Sequence, residues 1–83
     1  MSAATKADLS GWFDHGVRDG AKWMVVVCDT FDHEDYPCYF LTAQEVQAKL
    51  ARPGEMQRIM EVYDLTADKE EQMKERRCWR VPA

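Results

Sequence analysis

The residues of this chain that could do chemistry are concentrated in one short stretch, CDTFDHEDYPC, which begins at Cys28 and ends at Cys38. Between the two thiols lie four carboxylates and one histidine: Asp29, Asp32, His33, Glu34 and Asp35. Such a set is compatible with a metal site, a histidine-based catalytic centre or a charged recognition loop. The spacing of the residues and their neighbours distinguishes these possibilities.

The spacing of these residues does not favour a metal site. Thiolate and imidazole are zinc ligands, but a histidine at the tip of a hairpin would lie roughly 15 Å from Cys28 and Cys38, at about 3.3 Å per residue. The carboxylates lack the D-x-D-x-D-G spacing of a calcium loop. The sequence therefore predicts no metal ligand.

A catalytic centre would have His33 as its general base, because neighbouring carboxylates make its imidazole more basic. The stretch has no serine nucleophile beside it and no glycine-rich phosphate loop, and Cys28 falls inside a predicted strand. We therefore predict no catalytic residue, no cofactor and no enzymatic activity. The alternative is a small metal-dependent or histidine-based hydrolase centred on residues 29–35.

A recognition loop accounts for the aromatic residues as well as the charges. An aromatic anchor inside a charged rim gives an interface both affinity and electrostatic steering. The sequence predicts a protein-interaction or regulatory module whose partner has a basic surface. The predicted partner-binding residues are Phe31, Asp32, His33, Glu34, Asp35 and Tyr36. The competing interpretation is a solvated hairpin tip without a partner.

The charge of the molecule is concentrated in this stretch. The formal net charge is −4, which equals the sum of the four carboxylates between the cysteines. An acidic surface repels a phosphate backbone, so the charge argues against a nucleic-acid partner. A separate basic patch, Arg76, Arg77 and Arg80, suits the end of a helix or an acidic partner, including the loop of another copy.

The composition predicts a soluble cytoplasmic protein. Charged residues make up 31% of the chain, and the longest apolar run, from Trp23 to Cys28, is too short for a membrane span or a signal-peptide core. The three cysteines are an odd number and form no CxxC pair, which favours free thiols in a reducing compartment.

The residue pattern predicts six elements in the order α-β-β-α-β-α. We expect a single α+β domain over residues 1–83, with flexible tails at 1–4 and 81–83, and a three-stranded, mainly antiparallel sheet with helices packed on one face. The expected elements are a helix at 6–19, strands at 22–29 and 36–42, a helix that begins at a Thr42–Glu45 capping box, a strand at 56–65 and a last helix from Thr66.

The first helix is predicted from an apolar stripe at helical spacing, with Thr5 as N-cap and Gly20 after its end. Gly16 lies on that stripe, where the absence of a side chain would let the helix approach the sheet. The stripe consists of Leu9, Trp12, Phe13, Gly16 and Val17.

The strand at 22–29 is apolar on both faces, which is typical of a central strand, whereas Pro37 favours an edge position for the next strand. In the third strand, the alternation places Ile59 with Tyr63 on one face and Met60 on the other. If helices one and two share one face of the sheet, the last helix or a second copy must cover the other, which favours a homodimer.

Two segments, GVRDGAKWMVVVCDTFDHEDYP and MQRIMEVYDL, resemble a family of small hypothetical proteins of bacteria and their phages. The resemblance runs from Gly11 to about Glu71, and its most distinctive part is VVVCDTFDHEDYP. It implies a compact intracellular protein and assigns no catalytic residue. In that setting, an interaction module is a candidate phage-encoded inhibitor of a host system.

Overall fold

The structure, a computed structural model, describes residues 5–75. Six elements follow one another in this part of the chain. They are α1 (Lys6–Arg18), β1 (Trp23–Asp29), β2 (Asp35–Phe40), α2 (Ala43–Ala51), β3 (Gln57–Asp64) and α3 (Lys69–Glu75). The predicted order α-β-β-α-β-α and the α+β class are confirmed. The predicted tails at 1–4 and 81–83 lie outside the described residues.

Both of the longer helices begin at capping boxes. The Thr5 hydroxyl accepts a hydrogen bond from Asp8 N, and the Asp8 carboxylate accepts one from Thr5 N, both at 3.1 Å. Thr42 and Glu45 repeat the arrangement at the start of α2, also at 3.1 Å. After α1, Gly20 has a φ of 85°, the left-handed conformation that glycine adopts without a steric cost. The caps predicted from the sequence are confirmed.

The sheet has the order β2-β1-β3, and both pairs of strands are antiparallel. β1 is therefore the central strand, as its apolar residues on both faces predict. Pro37 lies opposite Val26 on the edge strand β2, where a residue without an N–H costs the sheet least. The prediction of an edge position for this proline is confirmed.

The two faces of the sheet are covered by different helices, so the prediction of helices on one face is wrong. α1 and α3 pack on one face; its buried residues are Leu9, Phe13, Met24, Val26, Tyr63, Leu65 and Met73. α2 packs on the other; the buried residues there are Val25, Val27, Val46 and Val62. α2 connects two strands that flank β1, so it has to cross one face of β1, and α1 and α3 occupy the opposite face. The face from which a homodimer was predicted, that of Met24, Val26 and Cys28, is covered by α1 and α3.

α1 approaches the sheet most closely at Gly16. A methyl group there would lie 2.6 Å from Tyr39 Cε1 and 2.7 Å from Leu65 Cδ1, distances that real side chains do not tolerate. The Tyr39 hydroxyl also donates a hydrogen bond to the Trp12 carbonyl at 2.7 Å. The predicted role of Gly16 is confirmed. Val17, in contrast, is 49% exposed, so the apolar stripe is narrower than predicted.

β3 contains an irregularity that reverses part of its predicted facing. Val26 pairs with Glu61 but Val27 pairs with Ile59, which leaves Met60 as an extra residue. Met60 packs on the α1 side of the sheet and Ile59 on the α2 side. The prediction that Ile59 shares a face with Tyr63 is therefore wrong, because one inserted residue shifts the alternation of a strand.

Candidate functional site

The connection between β1 and β2, residues 30–34, is held by its own hydrogen bonds. The Asp29 carboxylate accepts from Phe31 N at 2.8 Å, Asp29 N donates to the Glu34 carbonyl at 2.8 Å, and His33 N donates to the Asp29 carbonyl at 2.7 Å. His33 has a φ of 60°, which is uncommon for a residue other than glycine. Asp29 thus fixes the shape of the connection, and one of its carboxylate oxygens is bonded inside it.

The six predicted partner-binding residues separate into two groups by exposure. Asp35 and Tyr36 belong to β2 and are half-buried, so the connection is one residue shorter than predicted. Phe31 is the most exposed large apolar side chain among the described residues, with 76% of its surface accessible. All five residues of the connection are exposed, and we call four of them the acidic loop: Phe31, Asp32, His33 and Glu34.

Tyr36 is not the exposed anchor that the sequence suggested. Its ring packs against the core under α2, and its hydroxyl accepts a hydrogen bond from Gln57 Nε2. Gln57 Oε1 in turn accepts from Lys49 Nζ, which also donates to the Pro53 carbonyl at 2.9 Å. Burial raises the pKa of the Tyr36 hydroxyl. Tyr36 therefore connects β2 to β3 and α2 beneath the acidic loop instead of presenting its ring to a partner.

Met56 joins the acidic loop at the same end of the sheet, and the sequence analysis missed it. Thr30 N donates a hydrogen bond to the Met56 carbonyl at 2.8 Å, which holds the turn before β3 against the loop. The Met56 side chain is 52% exposed and its φ is 58°, an outlier for an unbranched bulky residue. The available signal was its position just after the Pro53-Gly54 turn, where side chains are usually exposed.

The β3 side of this end carries charges of both signs. Arg52, Glu55 and Arg58 are exposed, and Arg58 lies two residues after Met56. Within residues 5–75, neither arginine forms an ion pair, and the same holds for Asp32 and Glu34 in the acidic loop. This end of the sheet therefore presents apolar side chains together with unneutralised carboxylates and guanidinium groups.

The two thiols that bracket the candidate stretch do not face each other. Cys28 lies opposite Asp35, whereas Cys38 lies opposite Val25. Because partners across a sheet share a face and neighbours along a strand alternate, the thiols are on opposite faces and cannot form a disulfide. Burial raises the pKa of both thiols, which disfavours the nucleophilic thiolate. Both are free cysteines, and Cys78 lies outside the described residues.

Metal-ligating side chains do not converge in the described part of the chain. Among residues 5–75, no group of three or more His, Cys, Asp and Glu side chains is arranged to hold a metal ion. The metal-dependent form of the hydrolase alternative, centred on residues 29–35, therefore has no metal-ligand cluster among those residues. The basic patch of Arg76, Arg77 and Arg80 lies outside the described residues.

A concave surface lies between α1 and α3. It is a cleft of about 680 Å³, lined by Lys6, Ala7, Ser10, Lys69, Glu70, Met73 and Lys74. One of its cations is already paired, since Lys69 Nζ lies 2.9 Å from the Asp14 carboxylate. None of its lining residues belongs to the acidic loop, so the cleft and the loop are separate features.

Comparisons with known proteins found no matching family model, no similar curated protein and no similar solved structure. The resemblance noted in the sequence therefore stays a prediction. Across residues 5–75, no helix combines the length and apolar character that crossing a membrane requires.

Proposed function

We propose that this protein is an interaction or regulatory module that binds a basic protein surface through the acidic loop and Met56. The observation that carries the proposal is Phe31, which is 76% exposed although the backbone of its loop is fixed by hydrogen bonds. An exposed aromatic ring on an ordered loop loses little further entropy when a partner binds. The acidic loop therefore has the properties of a preformed anchor.

The charges around Phe31 support a basic partner. Asp32 and Glu34 are exposed on either side of His33, and neither forms an ion pair with a described residue. Carboxylates at the rim of an interface raise the association rate with a cationic surface and make it dependent on salt. Phe31 supplies the apolar contact, and the two carboxylates supply steering and selectivity.

The proposed setting is the cytoplasm, in a role such as a phage-encoded inhibitor of a host system. The thiols of Cys28 and Cys38 are free and on opposite faces of the sheet, which suits a reducing compartment. The inhibitor role rests on the resemblance of VVVCDTFDHEDYP to small proteins of bacteria and phages. A small protein that blocks another by occupying its surface needs an anchor and steering charges but no catalytic set.

Site-specific photocrosslinking tests where the partner binds. A photoreactive phenylalanine analogue placed at position 31 should crosslink a discrete protein in a bacterial lysate, identified by mass spectrometry. The matched control is the same analogue at Val17, which is 49% exposed on α1 and outside the proposed surface. Equal crosslinking of the same proteins from both positions would contradict the proposal.

Neutralising the loop tests the electrostatic part. The double variant Asp32→Asn/Glu34→Gln should keep the melting temperature of the parent or raise it slightly, because it relieves repulsion between like charges. It should capture the crosslinked partner more weakly, and capture should depend less on salt. If the variant retains the partner with an unchanged salt dependence, the acidic loop is not the recognition element.

A further inference from the structure

The end of the sheet that carries the acidic loop is charged differently on its two sides. The strand order β2-β1-β3 places the carboxylates of Asp32 and Glu34 on the connection between β1 and β2. Met56 and Arg58 lie on the β3 side, and Arg52 is at the end of α2 just before them. Glu55 reduces the positive charge on that side without cancelling it. The whole surface, which we call the sheet-end surface, comprises Phe31, Asp32, Glu34, Arg52, Met56 and Arg58.

We infer that a second copy of this chain binds the sheet-end surface in a two-fold symmetric pair. In such an interface, if one residue of the first copy contacts a second residue of the other copy, the same contact also occurs with the two copies exchanged. A surface with an acidic side and a basic side is then complementary to itself, because the acidic side of one copy meets the basic side of the other. Phe31 and Met56, which are 76% and 52% exposed, would lie between the two rows of charge.

The charge pattern of the surface favours a second copy as the occupant. A basic partner that covered the whole sheet-end surface, and not the acidic loop and Met56 alone, would leave Arg52 and Arg58 facing like charge. A second copy presents Asp32 and Glu34 to them. The exposed apolar side chains are also few, so the pair belongs to the small, transient class of interfaces. This inference goes beyond the proposed function, since it concerns the purified protein alone and predicts that self-association and partner binding compete.

Charge reversal with mixing tests the inference. One variant carries Asp32→Arg/Glu34→Arg and the other Arg52→Glu/Arg58→Glu, and sedimentation equilibrium measures self-association of each over a wide concentration range. Each variant alone should self-associate at least about tenfold more weakly than the parent, because attraction between the rims becomes repulsion. An equimolar mixture should recover the parental affinity. In the mixed pair, the arginines introduced at positions 32 and 34 face the glutamates introduced at positions 52 and 58.

Overall charge does not explain such a recovery. The variant with reversed carboxylates has a formal net charge of zero, so it is not attracted as a whole to the more acidic variant. As a control, Arg18→Glu at the end of α1, near the opposite end of the sheet, should leave self-association unchanged. It should also fail to restore pairing when mixed with the variant that has reversed carboxylates. Circular dichroism melting confirms that every variant is folded.

Three results would overturn the inference. They are a parent protein that stays monomeric at the highest concentration, variants that associate as strongly as the parent, and a mixture that does not recover. Phe31→Ser should also weaken the pair, so an unchanged affinity in that variant counts against it. These measurements contain no partner protein. A negative result would therefore overturn self-association without affecting the crosslinking test of the proposed function.

Discussion

Phe31 and Tyr36 show how two aromatic residues near one loop acquire different roles. They lie at the two ends of the same acidic run, residues 32–35, yet Phe31 is exposed and Tyr36 is packed under α2. Tyr36 pairs with Val27 in the sheet, and its hydroxyl reaches Gln57 on β3. A tyrosine with a partner for its hydroxyl can be buried at little cost, whereas the residue at the loop tip has no sheet face to pack on.

At the residue scale we predict that Gly16→Ala destabilises the protein by about 1 to 3 kcal/mol. The added methyl group would lie 2.6 Å from the Tyr39 ring and 2.7 Å from Leu65, so α1 or the ring must move. Denaturant unfolding measures the change. The matched control is Gly11→Ala in the same helix, where a methyl group meets nothing within 4 Å.

The control should change stability in the opposite direction. Alanine in a helix interior is more favourable than glycine by about 0.5 to 1 kcal/mol, so Gly11→Ala should stabilise the protein slightly. If both substitutions stabilise it, the close approach of α1 to Tyr39 does not exist in solution. That outcome would also remove the hydrogen bond from Tyr39 to Trp12 as an anchor of the helix.

At the scale of elements, the side chain of Gln72 hydrogen-bonds α3 to the sheet. Gln72 is 4% exposed, and its amide makes two hydrogen bonds with the backbone of Asp64 at the end of β3. Both bonds are 2.7 Å long, and they satisfy an N–H and a C=O that a neighbouring strand would otherwise satisfy. A helix that is polar over most of its surface is thus attached to the sheet by Gln72 together with Met73.

We therefore predict that Gln72→Ala destabilises the protein by about 1 to 3 kcal/mol, because it leaves two backbone groups without partners. Gln72→Glu should also destabilise it, since a carboxylate cannot donate to the Asp64 carbonyl. The neighbouring Glu71→Ala is exposed and should stay within about 0.5 kcal/mol of the parent. Equal midpoints for Gln72→Ala and Glu71→Ala in urea would show that the bonds to Asp64 contribute nothing.

At the scale of the whole molecule, a small chain buries groups that ionise at alkaline pH on both sides of its sheet. Burial is the largest cause of a raised pKa at Cys28, Cys38, Tyr36 and Tyr39. The ordinary values are 9.0 for the thiols and 10.0 for the phenols. Above these values, the unfolded chain loses protons that the folded protein retains.

The free energy of unfolding should therefore fall as the pH rises through 9.0 and then 10.0, and it should not depend on these groups below that range. Urea titrations at a series of pH values measure the fall. In the double variant Cys28→Ala/Cys38→Ala, the fall in the free energy of unfolding that begins near pH 9.0 should disappear. The fall due to the tyrosines, which begins near pH 10.0, should remain. A parent whose stability is constant through both values would contradict the prediction.

The sequence by itself determined the order of the elements and the caps at which the two longer helices begin. Caps at Thr5 and Thr42 are local hydrogen-bonding patterns that need only the neighbouring residues. The apolar residues on both faces of β1 and the proline of β2 likewise predicted the central and edge strands, because burial and missing N–H groups constrain where such residues can lie. The sequence also predicted that α1 approaches the sheet most closely at Gly16.

The tertiary structure alone decided which helix covers which face and which residues meet at the acidic loop. α2 has to cross β1 because its two flanking strands lie on either side of it, and α2 crosses the face that α1 leaves free; periodicity does not contain this topology. An extra residue at Met60 reverses the facing of Ile59, and no local pattern distinguishes such a bulge from ordinary alternation. Met56 reaches the acidic loop through a hydrogen bond between residues 26 positions apart, from Thr30. Contacts of that kind depend on how the strands pair, so they arise only when the chain folds.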